Sequence, residues 1–249
     1  HPRDRRQRQM CIRDRNMKKI LILITSLMIS FGLIAQQAPE GGFTSLHVKA
    51  QNPTEYTEFL RANAEQIFSS QGPSAAGVCI TASGHNYPGE MFVWSAFPTM
   101  EAQFSGSENY DVYNVPKRLE SLRDIVYSAN WKPLKGFKLD PGYERVTRVV
   151  VSPENLPAYL AAGVALEAAI QDAGHDFNLG IMTSLGGGPY EVGTLLVRGI
   201  SRDGAAVGKL VDEYFSGAEW GRSLDAFVAL QDAVIADSYE VCEQLYTAN

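Results

Sequence analysis

His47 lies in FTSLHVKA (43–50), where apolar and polar residues alternate. Alternation on a strand sends successive side chains to opposite faces. Leu46 and Val48 suit a helix-covered face, which leaves Phe43, Ser45, His47 and Lys49 on the other. An enclosed imidazole can shuttle protons or ligate a haem iron. With no carboxylate or second ligand beside it in sequence, a hydrogen-bonded core histidine is the favoured reading. In GVCITASGHNYPGEMFVWSAF (77–97), Cys79, Thr81, Phe92 and Trp94 share the face opposite Val78 and Ile80. In YERVTRVVV (143–151), Tyr143, Arg145 and Thr147 take the places of the first strand's inward residues, with Thr147 matching His47. His47, Thr81, Phe92, Trp94, Arg145 and Thr147 are therefore the candidate pocket residues. Aromatic walls with a few polar groups suit a small apolar or aromatic molecule. Arg145 and Arg148 are each read two ways, as anion binders or as partners of acidic neighbours.

Other histidines and motifs carry less. His85 falls in the SGHNYPGE turn and His175 in AGHDF, both expected in loops or caps. LGGGPYE lacks the Lys-Ser/Thr and following helix of a phosphate loop, so a hairpin turn is the expectation. GxSxG, HExxH, a Rossmann fingerprint and paired carboxylates are absent from the sequence, and no metal site is expected.

MKKILILITSLMISFGLIAQQ (17–37) has the pattern of a secretory signal: Lys18 and Lys19, then fifteen residues from Ile20 to Ile34, then Ala35. That run is shorter than the roughly 17–25 residues that span a bilayer. A periplasmic or secreted protein without a membrane span after signal removal is the expectation. Residues 1–16 carry six Arg and two Asp ahead of a complete charged region, and MCIRDR resembles translated adaptor read-through; Met17 reads as the start. Without residues 1–35 the chain keeps 14 basic and 26 acidic residues, a formal charge of −12. Such a surface disfavours nucleic acid.

The positioning elements come twice. NPTEYTEFL (52–60) matches SPENLPAYL (152–160), each with a capping residue and then a proline, Pro53 or Pro153, at the first helical position. A strand precedes each helix, and a Gly/Pro-containing hairpin follows, 77–97 matching 178–200. FSGSE (104–108) and FSGAE (215–219) mark a second helical region, read as breaks with Gly106 and Gly217 setting the bend. That region is expected to run to 129 and 237, before last strands at 131–137 and 238–246. Each copy thus reads β-α-β-β-α-β, the ferredoxin-like pattern. The expectation is an α+β chain with repeat 1 at 36–138 and repeat 2 at 139–249, packed sheet to sheet.

The element order and its repetition resemble the dimeric α+β barrel superfamily, which includes antibiotic-biosynthesis monooxygenases, haem-degrading monooxygenases, stress-responsive barrels and chlorite dismutase relatives. The resemblance implies both subunits of such a barrel fused in one chain, with a monomer as the default. It implies ligands in the barrel interior or between sheet and helices, and it transfers no catalytic motif. In a barrel of two 4-1-3-2 sheets, the second strand of one copy lies beside the last of the other, which pairs Cys79 with Cys242. Three functions stay open. They are an exported binding barrel for a small molecule, a monooxygenase-like or haem-linked enzyme, and a structural module.

Overall fold

The structure is a computed structural model that describes residues 39–248; the leader-like segment 17–35 and residues 1–16 lie outside them. Strand β1 (Gly42–Ala50) leads through helices α1 (Pro53–Ala62) and α2 (Ala64–Phe68) to strands β2 (Ala75–Ser83) and β3 (Glu90–Phe97). Helices α3 (Met100–Ser107) and α4 (Lys117–Glu120) precede β4 (Arg123–Lys135). The second half comprises β5 (Tyr143–Val150), α5 (Leu156–Asp172), β6 (Phe177–Ser184), α6 (Gly188–Glu191), β7 (Leu195–Ser201), α7 (Gly204–Phe215), α8 (Gly221–Val228) and β8 (Ala233–Thr247). Antiparallel pairing closes the strands into a barrel in the order β1-β3-β2-β8-β5-β7-β6-β4. The order β4-β1-β3-β2 of the first four strands recurs as β8-β5-β7-β6 in the second four. The halves meet at two seams, β2–β8 and β4–β6. No described helix is long and apolar enough to cross a membrane.

Local chemistry starts the helices. Asn52 caps α1, its side chain accepting from the amides of Thr54 (3.1 Å) and Glu55 (3.3 Å), with Pro53 just inside. Thr99 caps α3 and Asp203 caps α7 in the same way. The second copy departs from the expected Ser152–Pro153 start. Residues 152–155 form a turn closed by the Asn155 and Leu156 amides on the Ser152 carbonyl, and α5 begins at Leu156.

Three other expectations are corrected. β4 starts at Arg123 and β8 at Ala233, so most of the residues assigned to the ends of the second helices are strand; their β-branched runs favour the extended chain. The β6–β7 connection carries the short helix α6 inside its turn. Gly217 does set a bend, with φ +85° between α7 and α8, but Gly106 is helical. Gly106 is required instead for close approach, since a Cβ there would lie 2.1 Å from the Gln71 carbonyl oxygen.

The helices cover the outside of the barrel. Val48, Val78 and Met91 pack under Tyr56 and Leu60 of α1, while Leu179, Ile181 and Val197 pack under Tyr159, Leu166 and Phe227. Lys135, almost wholly buried, ties α5 to the barrel through Glu167 (2.5 Å) and the Leu179 carbonyl (2.8 Å). Across the β2–β8 seam Cys79 stands opposite Cys242, and their sulfurs are bonded with Cα atoms 4.0 Å apart. This crosslink joins positions 163 residues apart, so it removes much of the unfolded chain's freedom. Replacing both with serine should lower the unfolding free energy by about 2–5 kcal/mol. Urea denaturation of the pure chain, with and without reductant, checks this; an unshifted midpoint would remove the crosslink from the stability account.

Candidate functional site

The barrel interior has an apolar half and a charged half. Phe43, Phe92, Trp94, Trp131, Met182 and Leu196 supply the apolar walls. Gly77 permits part of this packing: a Cβ there would meet the Trp94 ring at 2.5 Å. A cavity of about 50 Å³ remains among these walls, bordered also by His47, Arg148, Arg198, Glu144 and Glu240. Leu139, Asp140 and Pro141 of the connection between the halves border it as well. At roughly one water per 10–15 Å³ of such volume, it has room for a few waters.

Of the sequence-predicted residues, His47, Phe92 and Trp94 line this cavity, with Cys79 beside them. Thr81, Arg145 and Thr147 do not border it. Arg145 is on the outer face, where both its Nε and Nη2 donate to Asp237 (3.0 and 2.7 Å). The inward residues of β5 are Glu144, Val146 and Arg148 instead. The register gives the reason. His47 pairs with Phe92 across β1–β3, and the matching partner on β7, Leu196, pairs with Arg148. His47's counterpart is thus Arg148, not Thr147. The error came from carrying the helix alignment back into β5, although α5 starts three residues later than its matched proline implies. Thr81 is half-buried near the end of β2, past the inward stretch.

His47 is 6% exposed. Its ring stacks on Tyr127 (centroids 4.1 Å apart, planes within 7°) and meets Phe92 on the other side at 4.9 Å. Strand β4 skips one residue opposite the step from His47 to Val48, a bulge that sets Tyr127 level with His47. Nε2 lies 3.1 Å from Ser45 Oγ, which accepts from Trp131 Nε1 at 2.8 Å. Burial, then the nearby cations Arg148 and Arg198, hold its pKa well below the ordinary value of 6.5, so the imidazole is neutral.

The charged half was not recognised as a site in the sequence. Arg198 donates to Glu144 (2.7 Å) and Glu240 (2.9 Å), and touches the crosslink at Cys242 Sγ (3.2 Å) and Cys79 Sγ (3.5 Å). Arg148 donates through Nε and Nη2 to both oxygens of Glu191 (2.7 Å each), and Tyr127 donates to the same carboxylate at 2.5 Å. Three carboxyls thus face two guanidiniums. Burial raises the Glu240 pKa, and the neighbouring Glu144 adds to the rise against the pull of Arg198 and Arg148. Acid and base are therefore reversed from their usual order: the carboxyl is biased toward its protonated form and the imidazole toward its neutral form. The only advance signals were the charges Glu144 and Arg148, four positions apart on one face of β5, and one Arg inside LLVRGIS.

A haem does not fit this interior. Ligand pockets run to about 300–1,000 Å³, far above the cavity here, and both faces of the His47 ring are occupied. His85 is in an exposed turn, and His175 is paired with Glu213 at 2.7 Å, tying the chain after α5 to α7.

The depressed His47 pKa has a stability consequence. On unfolding, the side chain regains its ordinary pKa of 6.5. Below that pH the unfolded chain binds a proton that the folded chain does not, so this component of stability is present above pH 6.5 and is lost as pH falls. Its limiting slope is about 1.4 kcal/mol per pH unit. His47→Gln should remove it, so that the stability difference between wild type and variant declines on acidification; a pH-independent difference in urea melts would contradict the neutral assignment.

The sequence matches no family model and no curated protein. Solved structures are similar in fold. A proposed monooxygenase from Lactobacillus acidophilus has a TM-score of 0.55 and 10% identity, covering 84% of this chain and 96% of its own. An anthrone oxidase-like protein has a TM-score of 0.52 and 11% identity over 84% and 96%. A variant of chlorite dismutase from Candidatus Nitrospira defluvii has 0.52 and 10% over 84% and 93%. At such identities the likeness extends to the fold alone, a closed eight-stranded antiparallel barrel with its helices outside.

Proposed function

We propose that this chain is a small-molecule enzyme of monooxygenase type and that the barrel interior is its reaction chamber. One observation carries the reading: a buried, neutral His47 and a buried Glu240 whose pKa is raised border the same aromatic-walled cavity. A base and an acid reversed in this way can take a proton from one atom of a ligand and give one to another. Monooxygenase-like and anthrone oxidase-like names among the fold neighbours favour this reading over simple storage of a ligand.

The walls select a small, neutral aromatic or apolar molecule, since the ionic groups already satisfy one another. His47 removes a proton from an activated C–H or O–H. The electron-rich anion adds dioxygen, Glu240 protonates the peroxide, and loss of water leaves a carbonyl, so that a CH2 group and O2 become C=O and H2O. An aromatic ligand is larger than the cavity of about 50 Å³, so binding requires outward displacement of the connection at Leu139–Pro141, which borders the cavity beside the stacked pair Phe43 and Phe137, to widen the chamber as well as to open it. Two repeats fused in one chain complete the barrel without a second subunit. Export belongs to the same proposal, because the signal-like segment and a crosslink that persists in oxidising compartments agree.

The test uses phenol, 1-naphthol and anthrone as probes. Trp94 and Trp131 fluorescence should report saturable binding of at least one, with dioxygen uptake by the bound form. His47→Gln and Glu240→Gln should each slow uptake by about 10²–10⁴-fold while binding persists. Saturable binding without uptake would return the chain to the binding-barrel reading, and uptake unaffected by His47→Gln would remove the proposed base.

A further inference from the structure

Three stacked rings, with a fourth tilted against their inner end, run from the cavity to solvent. Phe92 meets His47 at 4.9 Å, His47 lies on Tyr127 at 4.1 Å, and Tyr127 lies on Tyr190 at 4.2 Å with planes within 10°. Tyr190 is 53% exposed. It sits in α6, whose next residue, Glu191, is completely buried and locked by Arg148, Tyr127 and the Ser184 and Thr194 hydroxyls on its carbonyl. The anchored helix holds Tyr190 on Tyr127, although its neighbours Leu185 and Val192 are exposed.

Simple packing does not require the second feature of this stack. Tyr127 donates its phenolic proton to the Glu191 carboxylate over 2.5 Å while accepting from Arg148 at 3.1 Å. One-electron oxidation makes a phenol a strong acid, and the oxidised ring is stable only if the proton has an acceptor within hydrogen-bond reach. Glu191 is that acceptor. Burial otherwise holds the Tyr127 proton tightly, its pKa being raised well above the ordinary 10.0.

We propose that Tyr127 and Tyr190 form a one-electron path between the barrel interior and the surface, with Glu191 as the proton acceptor for Tyr127. A one-electron oxidant in the cavity, such as a peroxyl or aryloxyl radical, takes an electron from Tyr127 and becomes the corresponding anion. The Tyr127 proton moves to Glu191. The Tyr127 radical then takes an electron from Tyr190 and recovers its proton from Glu191, while Tyr190 releases its own proton to solvent. The radical reaches a position where a soluble reductant can quench it. The path depends on ring contact and one hydrogen bond and not on the identity of the ligand above.

The experiment applies flash-generated tris(bipyridine)ruthenium(III) to the whole chain and freeze-traps the product for electron paramagnetic resonance. Electrons run the same path in reverse, from Tyr127 through Tyr190 to the oxidant. The expected signal is a tyrosyl radical with the lowered g-value of a strongly hydrogen-bonded phenoxyl. Tyr127→Phe should abolish it. Tyr190→Leu, at an exposed site where folding is not at stake, should reduce its yield at least fivefold, while Tyr113→Phe, at the most exposed tyrosine, should leave it unchanged. A hydrogen-bonded signal of full yield in Tyr190→Leu, or a wild-type signal showing only solvent-exposed tyrosyl, would overturn the path.

Discussion

One guanidinium holds the middle of this barrel together. Arg198 projects inward from β7 and is shared by Glu144 of β5 and Glu240 of β8, while it also touches both crosslinked sulfurs of the β2–β8 seam. Four strands therefore converge on one side chain. Removing a partner from such a buried ionic group costs several kcal/mol because it strands a charge in a poorly solvating interior. Once Arg198 has two carboxylates and Arg148 has Glu191, one carboxyl has no cation of its own. Burial first, and then the neighbouring Glu144, bias Glu240 toward its protonated form, while burial and then the two cations hold His47 neutral.

Barrel closure makes this arrangement possible. Among the described residues eight strands close on one another and leave no open sheet edge, so charged side chains can point inward without a water-filled gap beside them. Matching bulges on β4 and β8 then occur beside His47 and Arg148, the two counterpart positions of β1 and β5. One half places an imidazole at that level and the other a guanidinium, so repetition of the fold yields an asymmetric interior. Apolar contacts on the outside, under the helices, are separate and keep the halves rigid.

Much of the architecture was legible in the sequence. The strand and helix order followed from periodicity and from caps such as Asn52–Pro53, and the β1 face followed from Leu46 and Val48 alternating with His47. β5 was misread because VTRVVV does not alternate cleanly, so its inward face was taken from the helix alignment, which is one residue out of step with the strand register that matches His47 to Arg148. The ionic interior was hidden for a different reason. Glu144, Arg198 and Glu240 are separated by 54 and 42 positions, and a lone charge in a strand reads as solvent-facing until its partners are brought together. Tyr127 was hidden inside a segment read as helix, and without it neither the stack on His47 nor the link to Glu191 could be seen.

The proton distribution of the interior is central: a base held neutral and a carboxyl biased toward its protonated form border one small cavity. An NMR titration of the chain labelled with nitrogen-15 in its histidine rings tests this most directly. His47 should keep the paired shifts of a neutral imidazole from pH 8 to pH 5. A His47 that takes up its proton near the ordinary value of 6.5 would contradict the account, because the cavity would then hold a charged imidazole and no base at neutral pH.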